Sequence, residues 1–192
     1  MTDTPAPLPD FSWNGVLVRL RAPEPDDWEY LDRWERDAEA QRRANRADLP
    51  VSAEAMRRRA AEASLASDER SAMFMIETLG GKETVGMLRT YDVDARNGTF
   101  TYDMTLGREH WRRGLGSDAA RIILRYYFLE LRFQKVNARV HEYNEPSIRF
   151  LESLGFTEEG RIRRNAYAGG RYHDELWYGM TAREYVDRYV SG

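Results

Sequence analysis

The chain has 192 residues, 42% of them hydrophobic and 12% aromatic, enough to build one globular core. Its 29 basic and 32 acidic residues leave a net charge of −3, which argues against a general nucleic-acid binder, and Lys82 and Lys135 are the only lysines. The absence of cysteine excludes disulfides, thiolate nucleophiles and Cys-ligated zinc, and His110, His141 and His173 are widely spaced with no His-Glu-x-x-His pattern, so no metal is expected.

In chain order, residues 1–10, MTDTPAPLPD, read as a flexible lead-in rather than a signal peptide, and residues 11–192 as a single domain. No apolar run approaches the roughly 20 residues that would span a bilayer. The protein is therefore expected to be soluble and cytoplasmic, with neither membrane nor nucleic acid as partner. Val16, Val18 and Leu20 alternate as in an opening strand, and Pro23 to Asp27 supply prolines and acids suited to a helix start. Trp28, Leu31 and Trp34 then recur at helical spacing and read as core. A second helix is expected over 52–66, between Pro50 and Ser67-Asp68, with Arg57, Arg58 and Arg59 on a solvated face.

From Met73 the pattern turns to β: strands over 73–78, 84–91 and 99–106, joined at Gly80-Gly81 and Asn97-Gly98, form an antiparallel meander. A glycine loop follows, then a helix over about 117–131, a strand over 135–141, and a helix opening at Asn144-Glu145-Pro146 and stopping at Gly155. Strands over 156–166 and 172–180, turned at Gly169-Gly170, close the sequence. Meander, crossover and hairpin together imply an α+β fold, a mixed and mostly antiparallel sheet of about seven strands flanked by helices with one embedded β-α-β crossover.

The loop Trp111-Arg112-Arg113-Gly114-Leu115-Gly116-Ser117 carries the chemistry. Its glycines let successive N–H groups converge at a helix N-terminus, making an anion nest suited to a pyrophosphate, and Arg112 and Arg113 add cationic reach. Gly114-x-Gly116-x-x-Ala119 also satisfies the dinucleotide-binding pattern, but a polar loop separates it from the preceding strand and no doubly wound series follows. The Gly-Lys-Ser/Thr ending of a P-loop is missing. A purely structural glycine loop is the remaining alternative.

Together with Asn144-Glu145-Pro146-Ser147-Ile148-Arg149-Phe150-Leu151-Glu152-Ser153-Leu154-Gly155-Phe156, this loop resembles the GNAT superfamily of N-acetyltransferases over residues 14–182, nearest the ribosomal-protein alanine and spermidine N-acetyltransferase branch. The first motif resembles the family's pyrophosphate loop, with Trp111 where the pattern has Gln or Arg, and the second its Asn-x-x-Ser/Ala helix ending in Leu-Gly-Phe. The resemblance implies acetyl-CoA as co-substrate, bound by Met104, Thr105, Leu106, Trp111 to Ser117, Asn144 and Ser147, and an amine acceptor, either a small polyamine-like molecule or a protein N-terminus. A backbone N–H of Met104 to Leu106 would meet the oxyanion. A homodimer is a candidate assembly. Leu151 stands where many members carry the tyrosine that protonates the leaving thiolate, so water, Ser147 or Tyr143 must replace it.

An amine of pKa near ~10.4 is only about one part in a few thousand neutral at pH 7, so a base is required. Asp103, on the strand expected to line the cofactor, is the first candidate, and Glu142, expected across from it on the next strand, the second. His141 and His173 are further candidate bases, since an unperturbed imidazole titrates near ~6.5, although a lone strand histidine reads first as a hydrogen-bonded structural residue. The alternative to an enzyme is a catalytically silent acyl-CoA-binding sensor or interaction domain.

Overall fold

A computed structural model describes residues 10–44, 49–65 and 70–191. Seven strands, β1 (Val18–Arg21), β2 (Ala72–Thr78), β3 (Thr84–Asp94), β4 (Thr99–Leu106), β5 (Lys135–His141), β6 (Thr157–Ala168) and β7 (Arg171–Thr181), form one sheet in the order β1-β2-β3-β4-β5-β7-β6. Six α-helices accompany them among the described residues: α1 (Trp28–Glu35), α2 (Ala38–Arg43), α3 (Ala53–Leu65), α4 (Leu115–Arg125), α5 (Glu145–Leu154) and α6 (Ala182–Tyr189). The expected mixed sheet, its meander and its closing hairpin are all present. Residues 1–9 and the helix stop at Ser67-Asp68 lie outside the described residues.

Side-chain alternation sorts the sheet into two faces. Leu88, Phe100, Tyr102, Val136, Val140, Leu176 and Met180 point to one face and pack with Ala119 and Ile123 of α4, Leu151 and Leu154 of α5, and Tyr185 of α6. Met75 points to the other, under Leu31 and Trp34 of α1 and Met56 and Ala60 of α3. Trp34 of α1 thus fills core, as its helical spacing predicts, while Trp28 packs against the same cluster partly buried.

Two helices were not foreseen. α2 is six residues long and starts on Asp37, whose Oδ1 accepts the N–H groups of Glu39 and Ala40, both at 3.1 Å. α6 starts on a reciprocal capping box, Glu184 N–H donating to the Thr181 hydroxyl (3.3 Å) and Thr181 N–H to the Glu184 carboxylate (2.7 Å). The glycine-loop helix begins at Leu115, two residues before the expected Ser117, and ends in a widened π turn over Tyr126–Glu130.

Every neighbouring pair of strands is antiparallel except β4 and β5, which α4 joins as a crossover. Their pairing covers Thr99↔Lys135, Phe100↔Val136 and Thr101↔Asn137 and then stops. β4 runs on to Leu106 bonded to β3, and β5 to His141 bonded to β7, so a gap opens between their C-terminal halves. No described helix is long and apolar enough to cross a membrane.

Candidate active site

The gap and the start of α4 meet. Gly114 caps α4 at φ +79° and carries no side chain that could accept from the first turn, whose earliest intrahelical bond is Asp118 N–H to the Gly114 carbonyl, 3.0 Å. The N–H groups of Leu115, Gly116 and Ser117 therefore have no partner within the helix. A Cβ on Gly116 would lie 3.0 Å from Leu106 Cδ1, 3.2 Å from Met104 Cε and 3.5 Å from Phe150 Cε2, which sets this helix end against β4 and α5. Arg112, itself at φ +60°, and Arg113 flank the turn, exposed to solvent. The result is an uncapped helix N-terminus with two exposed arginines beside it, Arg113 lying 3.4 Å from His110 Nδ1, chemistry that fits a pyrophosphate.

The backbone of β4 fixes which groups face the gap. Gly107 N–H donates to the Val85 carbonyl at 2.9 Å, and a Cβ on Gly86 would meet the Thr105 carbonyl oxygen at 2.4 Å, so residues 105 and 107 turn their polar groups toward β3. Backbone groups alternate along a strand, so Met104 and Leu106 turn theirs toward β5. The Leu106 carbonyl accepts Trp111 Nε1–H at 2.9 Å. Trp111 thus ties the glycine loop to the strand end through its indole. Met104 is left presenting its N–H into the gap.

The other lip is the turn 142–147. Asn144 caps α5, its Oδ1 accepting Ser147 N–H at 3.4 Å, while its Nδ2 donates to the Arg43 carbonyl at 3.2 Å. The Tyr143 hydroxyl donates to the Arg42 carbonyl at 3.3 Å, and burial pushes that phenol up. α2 is therefore held against this lip. It is held against the opposite lip as well, since Arg108, just past β4, grips Asp37 (2.5 and 3.2 Å) and Glu39 (2.5 Å).

The two expected carboxylates are both engaged. Asp103 lies on β4 on the face away from α4, paired with Arg89 at 3.1 and 2.5 Å. Glu142 is not across from it: β5 ends at His141, and the Glu142 carboxylate turns instead to His173 Nδ1 (3.1 Å) and Arg161 (3.4 Å). The turn after β5 redirects the chain toward the β6–β7 hairpin. His173 is a hydrogen-bonded structural histidine as expected, its Nε2 lying 3.2 Å from the Ala168 carbonyl. His141 differs from His173 in that its Nδ1 is buried without a hydrogen-bond partner.

A model of the acetyltransferase (GNAT) domain matches residues 18–157. The SPbeta prophage-derived uncharacterized N-acetyltransferase YokL of Bacillus subtilis strain 168 is 36% identical over 173 residues, 90% of this chain and 94% of that protein. The chain belongs to the GNAT acetyltransferase family. The putative ribosomal N-acetyltransferase YdaF of the same bacterium is 30% identical over 100 residues, 52% of this chain and 55% of its own length. Among solved structures, the spermidine N-acetyltransferase of Vibrio cholerae in complex with CoA and spermine superposes with a TM-score of 0.77 at 19% identity, covering 88% of this chain and 98% of that one, a likeness of fold.

As a GNAT protein the chain is an acyltransferase of the N-acetyltransferase class. Leu151, at the family's tyrosine position, is 6% exposed and packs in the core with Leu154. It brings no proton donor to the gap. Tyr143 and Ser147, at the turn into α5, are the hydroxyl-bearing candidates beside that lip.

Proposed function

We propose that this GNAT protein transfers the acetyl group of acetyl-CoA to a primary amine by direct attack on the thioester. The observation that carries the reading is the uncapped N-terminus of α4 behind Gly114, opening onto the gap between β4 and β5. The free N–H groups of Leu115, Gly116 and Ser117, with Arg112 and Arg113, would hold the CoA pyrophosphate. The pantetheine arm would run between the diverging strands, past Met104, Thr105 and Leu106 on one side and Asn144 and Ser147 on the other. Met104 N–H is the donor for the oxyanion of the tetrahedral intermediate. A thiol of pKa near ~8.5 leaves with little help, so Ser147, Tyr143 or water suffices where the family has tyrosine.

For the acceptor, the sequence resemblance offers a small polyamine-like amine or a protein N-terminus, and relatives are named for spermidine and as a putative ribosomal N-acetyltransferase. A panel holding both, assayed for CoA release, tests the reading. Release above the hydrolytic background with a member of the panel is the expected result. CoA binding by calorimetry with no release from any amine would instead mark a silent acyl-CoA sensor, the reading that buried Leu151 at the tyrosine position favours.

A further inference from the structure

The nest and the side chains of Met104, Leu106 and Phe150 lie on the α4 and α5 face of the sheet. A CoA arm entering from that face presents its acetyl end to the opposite one, where the amine must arrive. Three ionisable side chains of β4 and β5 border the gap on that opposite face, and one of them, Arg139 on β5, is held by Asp92. Asp103, on β4, is gripped by Arg89 through two bonds. His141, the last residue of β5, faces the same way by alternation with buried Val140.

The surroundings of His141 bear on its protonation. The Ala44 backbone, at the end of α2, lies close enough to the ring to favour its protonated form. Nδ1 has no partner, so a proton placed on Nε2 leaves the Nδ1 lone pair unmet. The Tyr143 ring stacks on the imidazole at 5.5 Å and 12°, fixing its plane. A buried acceptor without a donor is costly to leave unmet, and an arriving ammonium N–H is a donor of the right kind.

Resting on the function proposed above, we propose that His141, through Nδ1, is the base that takes the proton from the acceptor amine. The ammonium gives one proton to Nδ1, and the freed nitrogen lone pair forms the C–N bond at the thioester carbon. The intermediate then collapses with cleavage of C–S, and the second N–H proton passes to the departing thiolate. The products are the amide and CoA-SH, and the imidazolium returns its proton to solvent.

The charged groups nearest the ring are Glu175 and His173 on β7, with the Tyr143 phenol stacked on it; Arg139, two residues back on the same face of β5, is paired with Asp92, and Asp103 on β4 with Arg89. Burial holds the imidazole below its usual range, Glu175 opposes that, and His173 adds to it. The ring is then neutral and able to accept a proton at pH 7.

The test uses the full chain with His141→Gln, kcat/KM being followed against pH with the amine that releases CoA from the wild type. The expected result is a loss of about 10²- to 10⁴-fold at pH 7, with partial recovery at high pH where free amine is abundant. The acidic limb of the wild-type profile, below the ordinary imidazole pKa of ~6.5, should vanish, while CoA affinity by calorimetry stays at the wild-type value. ¹⁵N-histidine NMR of the wild type should show Nδ1 unprotonated and the ring titrating below ~6.5. That readout decides the matter even if His141→Gln loses its fold. An NMR signal from protonated Nδ1, or a folded His141→Gln with wild-type rate and acidic limb, would overturn the assignment and leave the proposed acetyl transfer standing. Absence of CoA release from the wild type with every amine would overturn both.

Discussion

The Asp118 carboxylate receives the backbone N–H of Leu17 at 2.7 Å across 101 positions of sequence. It also receives those of Val18 (3.0 Å) and Val16 (3.1 Å), so one buried side chain in the first turn of α4 fastens the chain leading into β1. The contact is so close that a Cβ on Gly15 would lie 2.4 Å from Asp118 Oδ2. Hydrogen bonds to a charged acceptor contribute about 1.5–3 kcal/mol each, non-additively, and losing the acceptor strands the donors. Asp118→Ala is expected to cost about 3 kcal/mol in urea unfolding. Asp118→Asn, which keeps one carbonyl oxygen, should cost less. An unchanged denaturation midpoint for Asp118→Ala would show that the carboxylate is dispensable.

Gly114 and Gly116 do different work in the same loop. At φ +79° Gly114 occupies a conformation that a β-branched residue resists, and its Cβ would also approach Leu17 Cδ1 at 3.3 Å. Gly114→Val should therefore disrupt the nest and abolish CoA binding by calorimetry. Gly116→Ala meets the flexible ends of Leu106 and Met104 at 3.0 and 3.2 Å, which can shift. Its effect on affinity should be the smaller one. Equal CoA affinity in wild type and Gly114→Val would remove the loop from the cofactor site.

The glycine loop and the Asn144 helix were legible in the sequence because their chemistry is local. A left-handed cap needs glycine, and Asn144 caps the helix three residues from Ser147. The α6 capping box, Thr181 with Glu184, was equally local and gave a usable start signal that the strand reading over 172–180 obscured. What stayed hidden depends on partners brought together by folding. Arg89 meets Asp103 only because β3 and β4 pair in that register, and Glu142 leaves the gap only because the chain turns after His141. The unpartnered nitrogen of His141 is likewise a property of packing, invisible to residue type.

Asp103 as the base remains open to a direct comparison with His141. A carboxylate held by both donors of Arg89 is poorly placed to collect a third proton, so Asp103→Asn should keep neutral-pH turnover within a few-fold of wild type. Steady-state CoA release against pH measures this. A loss of about 10²-fold or more with recovery at high pH would return the proton transfer to Asp103.

Leu151 is packed in the core, and inserting a larger ring there forces neighbours to move, at a typical cost of about 1–3 kcal/mol. Leu151→Tyr is therefore expected to lower thermal stability without raising turnover. Thermal unfolding and thiol release, measured on the same preparation, check the two halves of that statement. A faster enzyme would mean that the phenol reaches the gap and that thiolate protonation limits the wild type.

The α2 segment bridges the two lips of the gap, tied by Arg108 to Asp37 and Glu39 on the β4 side and by Tyr143 and Asn144 to the carbonyls of Arg42 and Arg43 on the β5 side. It also brings the Ala44 backbone to His141, so a loosened α2 should disturb both amine access and the ring's protonation. The Arg108 guanidinium holds the Asp37 carboxyl below its usual range. A depressed folded pKa contributes stability above the unfolded value of about 3.9 and loses it as pH falls through the folded value, so the tie should weaken below about pH 4 and with added salt. Arg108→Ala should reproduce that loosening at neutral pH, with faster hydrogen exchange in α2 and a KM for the amine raised a few-fold. CoA affinity should change less than the amine KM, because the Arg108 side chain reaches the glycine loop only through the Trp111 ring, 6.0 Å from its guanidinium carbon. Unaltered α2 exchange together with an unaltered amine KM in Arg108→Ala would show that the bridge stands without its β4-side anchor.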